Sequence, residues 1–267
     1  MNTRQLLDLA GDPRFIEGIY NYCDRWCERC PLTSRCLLYA QEQADGEDLD
    51  AYDINSEAFV EKLKSIFEQT REMITAMAKE RGIDLDSLDL EDDSTTRKRQ
   101  ELSESHPLAR AAERYAKMVK LWFDQEYAAI EQELQAAEKD GLPLVDFNLQ
   151  EKVERVGDAL EVIRWYQFQI AVKIMRGLMC DEFDEYEDQE NVRQKDSDGS
   201  VKVALIGMDR SMGAWGRLKE EFPARADAIL PFLVHLERLR RKTEQEFPDA
   251  RKFIRPGFDD APDQYVS

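Results

Sequence analysis

The sequence predicts an all-α protein, a helical bundle of about five or six helices with an N-terminal segment rich in cysteine. Three observations support this prediction. Apolar residues recur at helical spacing in every segment with a clear period, and no segment alternates like a β-strand. Cap residues and prolines stand where these segments begin, and glycines stand where several of them end. Apolar residues also make up 42% of the 267 residues, which is enough to build a buried core.

The first two helices are predicted on either side of the cysteines. Asp12 and Pro13 are a cap residue and the proline that favours a first helical turn, so a helix is expected from there to the cysteines. Pro31 ends this helix or opens a short one. Asn55 or Ser56 caps the second helix. The apolar stripe of the second helix consists of Phe59, Leu63, Ile66, Phe67, Ile74 and Met77.

Four further helices follow in the rest of the chain. Pro107 opens the third helix, and the fourth follows it with its own apolar period. Asp198 or Ser200 caps the fifth helix. Pro223 separates the fifth helix from a sixth, which is expected over roughly 224–246.

The chain is predicted to divide into three parts. Residues 1–45 form the N-terminal segment with the cysteines, residues 46–246 form the helical bundle, and residues 247–267 form a loosely attached tail. Residues at about 83–103 are acidic and then switch to basic. This composition predicts a solvated, mobile linker within the bundle.

Charge and hydropathy narrow the classes of function. The chain has 56 acidic and 37 basic residues and a net charge of −19. A field of that sign repels phosphate backbones, so nucleic acid is an unfavourable partner, and a protein or redox partner is expected instead. The sequence contains no apolar run long enough to span a membrane, and its first residues lack the apolar core of a signal peptide. We therefore expect a cytoplasmic protein.

Four of the five cysteines fall within fourteen residues, with the spacing C-x3-C-x2-C-x5-C: Cys23, Cys27, Cys30 and Cys36. Thiolates are soft ligands that select zinc, copper(I) or iron–sulfur clusters. A reducing compartment disfavours disulfides as the use of these thiols. The spacing therefore predicts one metal centre with four cysteine ligands, and by itself it leaves both zinc and iron–sulfur open.

Two local resemblances bear on the identity of the metal. The second half of the run, in which Pro31 directly follows Cys30, resembles the iron–sulfur loop of the endonuclease III and adenine-mismatch glycosylase superfamily. That family holds a [4Fe–4S] cluster with a C-x6-C-x2-C-x5-C run, whereas the first gap here has three residues. The first half is similar in spacing to the cysteines of radical-SAM enzymes. Both resemblances imply a [4Fe–4S] cluster, with zinc as the alternative.

Four cysteine ligands also have a consequence for function. They saturate a cluster or a zinc ion and leave no coordination position for a substrate. A structural, electron-transfer or redox-sensing role is therefore expected. The filled site would carry a net charge of about −2, and Arg25, Arg29 and Arg35 are expected to compensate it.

An enzyme is the alternative hypothesis. Four glutamates are spaced as E-x2-E and, 27 residues later, E-x2-E: Glu151, Glu154, Glu182 and Glu185. This pattern resembles the E-x2-E and E-x2-D pairs with which all-α nucleotide pyrophosphohydrolases hold Mg²⁺. The resemblance implies a nucleotide hydrolase whose metal cluster serves only the fold. In a chain with 56 acidic residues, solvated helix faces produce the same spacing.

Overall fold

The structure is a computed structural model that describes residues 9, 11–44, 53, 55–85, 93–140, 147–184 and 194–259. The chain forms two compact units. The first unit comprises Met1–Tyr20, Arg25–Thr95 and Pro256–Ser267, and the second unit comprises Asn21–Asp24 and Thr96–Arg255.

Seven α-helices lie within the described residues: α1 Leu37–Ala44, α2 Glu57–Glu80, α3 Asp93–Ser105, α4 Pro107–Asp140, α5 Phe147–Asp184, α6 Asp196–Glu221 and α7 Ala226–Glu246. Five short 3₁₀ turns accompany them: Ile19–Tyr22, Cys27–Arg29, Thr33–Arg35, Pro223–Arg225 and Ala250–Lys252. No strand occurs in these ranges, so the predicted all-α class is confirmed for the described part of the chain. None of the described helices is both long enough and apolar enough to cross a bilayer.

The ends of α2 follow from its capping residues. The Ser56 hydroxyl accepts a hydrogen bond from the backbone N–H of Phe59 at 3.0 Å, which confirms Ser56 as the N-cap. At the other end, Gly82 adopts a φ of 67°, a left-handed conformation that favours glycine. The next N–H, of Ile83, donates to the carbonyl of Ala78 at 2.8 Å. The helix is therefore closed by hydrogen bonds at both ends.

Aromatic side chains form the core of the second unit. Trp215 of α6 stacks on Phe232 of α7 with ring centroids 4.2 Å apart. Trp122 of α4 lies almost perpendicular to Trp215, and the centroids of these two rings are 4.8 Å apart. The indole N–H of Trp215 donates to the hydroxyl of Tyr115 at 3.1 Å. Burial raises the pKa of Tyr115 to about 12. The core thus buries large rings together with the hydrogen bond between their polar groups.

Helices α5 and α6 approach each other closely at Gly207. A Cβ added at Gly207 would lie 2.8 Å from the ring of Tyr166 and 3.2 Å from the side chain of Ile170. Because both distances are shorter than ordinary contacts, this position needs a residue without a Cβ. The close approach brings the buried side chains of Tyr166 and Ile170 directly against α6.

The region before the cysteines differs from the prediction. Residues 12–22 form turns and the 3₁₀ turn Ile19–Tyr22 rather than an α-helix that starts at Asp12 and Pro13. Gly18 has a φ of 71°, which interrupts a right-handed helix. Asp12 accepts hydrogen bonds from the N–H and guanidinium of Arg14, and these bonds stabilise a turn instead.

The predicted linker is also partly helical. Residues 83–103 include the start of α3, which runs over Asp93–Ser105. The basic and polar residues after Asp93 are mostly arginine, lysine, glutamine and glutamate, and these residue types favour helices even without an apolar period. Residues 86–92 lie outside the described residues.

The predicted loose tail is anchored in its described part. Phe247, Ala250 and Phe253 are buried, and the Lys202 ammonium donates to the carbonyl of Phe253. These three residues are spaced by the 3₁₀ turn Ala250–Lys252 and not by an α-helix. The sequence therefore lacks the α-helical period by which a core segment is recognised. Residues 260–267 lie outside the described residues.

Candidate metal centre

The cysteine segment is built from three short 3₁₀ turns. A cysteine comes directly after each turn: Cys23 after Ile19–Tyr22, Cys30 after Cys27–Arg29, and Cys36 after Thr33–Arg35. The N–H of Cys30 donates to the carbonyl of Cys27 at 3.2 Å, and the N–H of Cys36 donates to that of Thr33 at 3.2 Å. Cys30 and Cys36 have extended backbone angles, so both stand where the chain leaves a turn.

The cysteine side chains are chemically suited to a soft metal. None of the five cysteines forms a disulfide, and all five are half-buried. The N–H of Leu32 lies 3.4 Å from the sulfur of Cys30 and donates to it. Such N–H···S bonds stabilise negative charge on a thiolate, in free and metal-bound cysteines alike.

The predicted four-cysteine site is not shown by the described residues. Cys27, Cys30 and Cys36 belong to the first unit, and Cys23 belongs to the second. Across the described ranges, no three histidine, cysteine or acidic side chains are grouped so that they could hold a metal ion. The chemistry of the donor set fits a soft metal, but the four-ligand site remains a prediction from the spacing.

The three arginines near the cysteines have partners of their own. Arg25 forms an ion pair with Glu42 at 2.7 Å. The guanidinium of Arg29 lies over the buried ring of Trp26, 4.1 Å from its centroid. Arg35 donates to a backbone carbonyl at 3.4 Å. The charge of Arg25 is therefore already balanced by a carboxylate.

Residues Asn21–Asp24, which we call the anchor segment, are part of the second unit and are held there by the contacts of Asp24. Its backbone carbonyl accepts hydrogen bonds from the indole N–H of Trp165, at 3.0 Å, and from the side-chain amide of Gln169. Its carboxylate oxygen Oδ2 accepts from the hydroxyl of Tyr166, at 2.5 Å, and from the guanidinium of Arg210, at 2.7 Å. Asp24 thus receives four hydrogen bonds from α5 and α6.

In the hydrogen bond between Tyr166 and Asp24, the proton belongs to the hydroxyl of Tyr166. Burial raises the pKa of Tyr166, and the hydrogen bond to Asp24 and its charge raise it further, whereas Arg210 acts in the opposite direction. The hydroxyl of Tyr166 is therefore the donor at neutral pH. The carboxylate of Asp24 accepts from this hydroxyl and from the permanently charged guanidinium of Arg210, which also donates to the hydroxyl.

Tyr22 fixes the other part of the anchor segment. Its hydroxyl donates to Oδ1 of Asp196 at 2.7 Å, and its ring packs on Phe253 with centroids 4.6 Å apart. Gly199 provides the space, because a Cβ there would lie 2.4 Å from the Tyr22 ring. Arg176 donates to both oxygens of Asp196, at 3.1 and 3.0 Å. Cys23 therefore lies between two residues whose side chains are fixed on the second unit.

This anchoring surface was not predicted from the sequence. Four side chains of α5 hold the segment or lie against it, at helical positions i, i+4, i+8 and i+11: Trp165, Gln169, Lys173 and Arg176. That spacing places them on one helix face. A polar and cationic stripe on a helix with an apolar core face is the only signal that the sequence offers for it.

The four glutamates of the enzyme hypothesis do not meet in the described structure. Glu151 is exposed and pairs with Arg155 at 3.3 Å. Glu154 and Glu182 lie on the same continuous helix, α5, and are separated by about 40 Å at a rise of about 1.5 Å per residue. The side chain of Glu182 and all of Glu185 lie outside the described residues. Because Glu151 and Glu154 lie so far from Glu182 along one helix, these residues cannot share a Mg²⁺ ion within one chain, so the expected four-glutamate site is corrected.

Comparisons with known proteins give no family for this chain. No family model, no curated protein and no solved structure matches it. A function is therefore proposed from the residues and contacts described above.

Proposed function

We propose that the protein binds a [4Fe–4S] cluster through Cys23, Cys27, Cys30 and Cys36 and has a redox or structural role exerted through protein partners. The observation that supports this proposal is the presence of four soft ligands within fourteen residues. The turns that precede three of the cysteines and the N–H···S bond to Cys30 are compatible with it.

The ligand set also suggests how the protein would work. A bound cluster would supply one-electron transfer, and four cysteines would leave no position open for a substrate. The chain itself contributes the thiolates and fixes the backbone on one side of Cys23. With a net charge of −19, its surface favours a partner with a cationic face.

Anaerobic purification followed by a UV–visible spectrum and metal analysis tests this proposal. We expect a brown protein with broad absorption at about 400 nm and with about four iron and four sulfide ions per chain. A colourless protein with one zinc ion would keep the four ligands and overturn the iron–sulfur part. A protein without bound metal after anaerobic reconstitution would overturn the proposal as a whole.

Single cysteine substitutions identify the ligands. Cys27→Ser or Cys36→Ser is expected to remove most of the bound metal, because a hydroxyl is a poor ligand for a soft metal. Cys180→Ser, on α5, is the matched control and is expected to keep the metal content of the natural chain. Equal losses in all three variants would contradict the ligand assignment.

A further inference from the structure

The apolar stripe of α2 is exposed along the whole length of the helix. The helix runs over Glu57–Glu80, and the hydrogen bonds described above close both of its ends. Six of its large apolar side chains are 39–65% exposed: Val60, Leu63, Ile66, Phe67, Ile74 and Met77. Exposed apolar residues are ordinary when they are scattered singly, whereas a contiguous set of them marks an interaction surface.

The spacing of this stripe is that of a coiled coil. Starting at Val60, the a and d positions of three successive heptads are Val60, Leu63, Phe67, Thr70, Ile74 and Met77. The intervals between them alternate between three and four residues, so the repeat averages about 3.5 residues. This repeat is typical of helices that coil around one another, and all the charged residues of α2 lie outside these six positions.

Thr70 is the one polar residue at these positions, and its burial would not leave a donor unpaired. Its hydroxyl donates to the backbone carbonyl of Ile66 at 2.8 Å, within the same helix. A hydroxyl that is already hydrogen-bonded can be buried without the cost of a lost hydrogen bond. The six positions can therefore be covered together by another helix.

The charges beside the stripe fit a second copy of α2 in parallel orientation. Lys64 and Arg71 occupy e positions, and Phe59 and Ile66 occupy the g positions that precede them by five residues. In a parallel pair, e residues lie beside g residues of the other copy, so the methylene stems of the two cations would cover apolar side chains. In an antiparallel pair, e residues face each other, and Lys64 of one copy would approach Arg71 of the other. Like charges at that distance repel each other, so the parallel orientation is favoured.

The exposed area of the stripe matches a pair of helices that can dissociate. Six side chains that are roughly half exposed leave about 500 Å² of apolar surface uncovered on each copy. Two copies would bury about 1,000 Å² together, which is at the lower limit for a specific interface. We therefore expect separate copies below about 1 µM and pairs at about 10–100 µM.

We propose that α2 pairs with α2 of a second copy of this chain in a parallel, two-stranded coiled coil. Identical residues then face each other at every a and d position, and each stripe covers the side chains that a single chain leaves exposed. In dilute solution the copies separate, and the stripe is exposed as it is in the single chain. This inference goes beyond the proposed function and does not depend on a metal.

Sedimentation velocity of the full-length protein at about 1 to 100 µM, with a reductant that prevents disulfide-linked pairs, tests the proposal. We expect the natural chain to shift from monomer to dimer over this range. Phe67→Glu should weaken the association at least about tenfold, because two carboxylates would face each other in the seam. Phe168→Glu is the matched control: Phe168 is 60% exposed on α5, close to the 65% of Phe67, and this variant should associate like the natural chain.

Opposite charges at position 63 identify the orientation of the two helices. Leu63→Glu and Leu63→Lys each place like charges against each other in a parallel pair, so each variant alone should stay monomeric at about 10 µM. A mixture of the two should form pairs, because the glutamate of one copy then faces the lysine of the other. A mixture of Leu63→Glu with Ile74→Lys that forms pairs instead would show antiparallel helices and overturn the parallel arrangement.

Two further results would overturn the proposal. A natural chain that remains monomeric at about 100 µM would show that copies of α2 do not cover each other. A dimer that persists equally in Phe67→Glu would show that the copies associate through a different surface. Far-UV circular dichroism of each variant in dilute solution verifies that its helices remain folded.

Discussion

Helices α2 and α6 have apolar residues in helical register and differ in what covers them. In α2, of the first unit, Phe67 is 65% exposed and Ile74 is 51% exposed. In α6, of the second unit, Trp215 and Met208 are completely buried. The comparison shows that an apolar period specifies a helix without specifying whether its stripe is buried.

The difference between the two helices comes from contacts that are distant in sequence. The stripe of α6 is covered by rings from α4 and α7, including Trp122 and Phe232. Glycines that allow close packing also lie on α6, and Gly207 faces α5. We therefore expect stability in the second unit to depend on single buried side chains, whereas single changes on the stripe of α2 should have small effects.

The largest effect is expected from loss of the central indole. Trp215→Ala should lower the free energy of unfolding by about 3–5 kcal/mol, because it removes a fully buried ring that stacks on Phe232. Phe67→Ala should change it by less than about 0.5 kcal/mol, because that ring is mostly exposed. Urea unfolding followed by far-UV circular dichroism measures both. A loss at Phe67 comparable to that at Trp215 would show that the α2 stripe is covered in solution.

The all-α class and several helix ends were predictable from local signals. Ser56, one of the two residues predicted as the cap, caps α2, and the prolines at 107 and 223 stand at the starts of α4 and of a 3₁₀ turn. These signals act within one or two turns of the chain. Gly18 was not recognised as a helix-breaking residue, because its left-handed φ is a property of the folded turn.

The sequence indicated four cysteine ligands for the candidate site, which stay a prediction, and it did not indicate the contacts around them. The four cysteines lie within fourteen residues of the sequence. The donors that hold Asp24 come from residues more than 140 positions later, such as Trp165 and Tyr166. A hydrogen bond across such a distance depends on how α5 packs, and a single sequence contains no record of that packing.

An intermediate effect is expected at high pH from Tyr115. Its pKa is raised from about 10 in the unfolded chain to about 12 in the folded one, mainly by burial. As the pH rises, the Tyr115 phenol ionises in the unfolded chain before it ionises in the folded one. The stability that the folded protein gains from the un-ionised phenol is therefore complete below about pH 10 and is lost as the pH rises to about 12. The loss should reach about 2–3 kcal/mol, on the order of 1.4 kcal/mol per pH unit.

Tyr115→Phe isolates that contribution. The variant has no phenol to ionise, so its stability should fall less than that of the natural chain between pH 10 and 12. At pH 7 the variant should be less stable by about 1 kcal/mol, because the indole of Trp215 loses its acceptor. Urea unfolding at several pH values measures the difference. Parallel curves for the two proteins would contradict the burial of an un-ionised phenol in this core.

The smallest changes in stability, of opposite sign, are expected from alanine substitutions at two glycines of α6. The two substitutions test whether the anchor segment is tightly packed. Gly199→Ala should destabilise the protein by about 1–3 kcal/mol, because the new methyl would lie 2.4 Å from the ring of Tyr22 and 2.7 Å from that of Phe253. Gly213→Ala should stabilise it by about 0.5–1 kcal/mol, since nothing lies within 4 Å of the added Cβ and alanine favours the helix. Both variants add the same methyl group to the same helix, so thermal unfolding compares them directly. A gain at Gly199 equal to that at Gly213 would show that Tyr22 leaves this position in solution, and Cys23 would then lose one of the two contacts that fix it on the second unit.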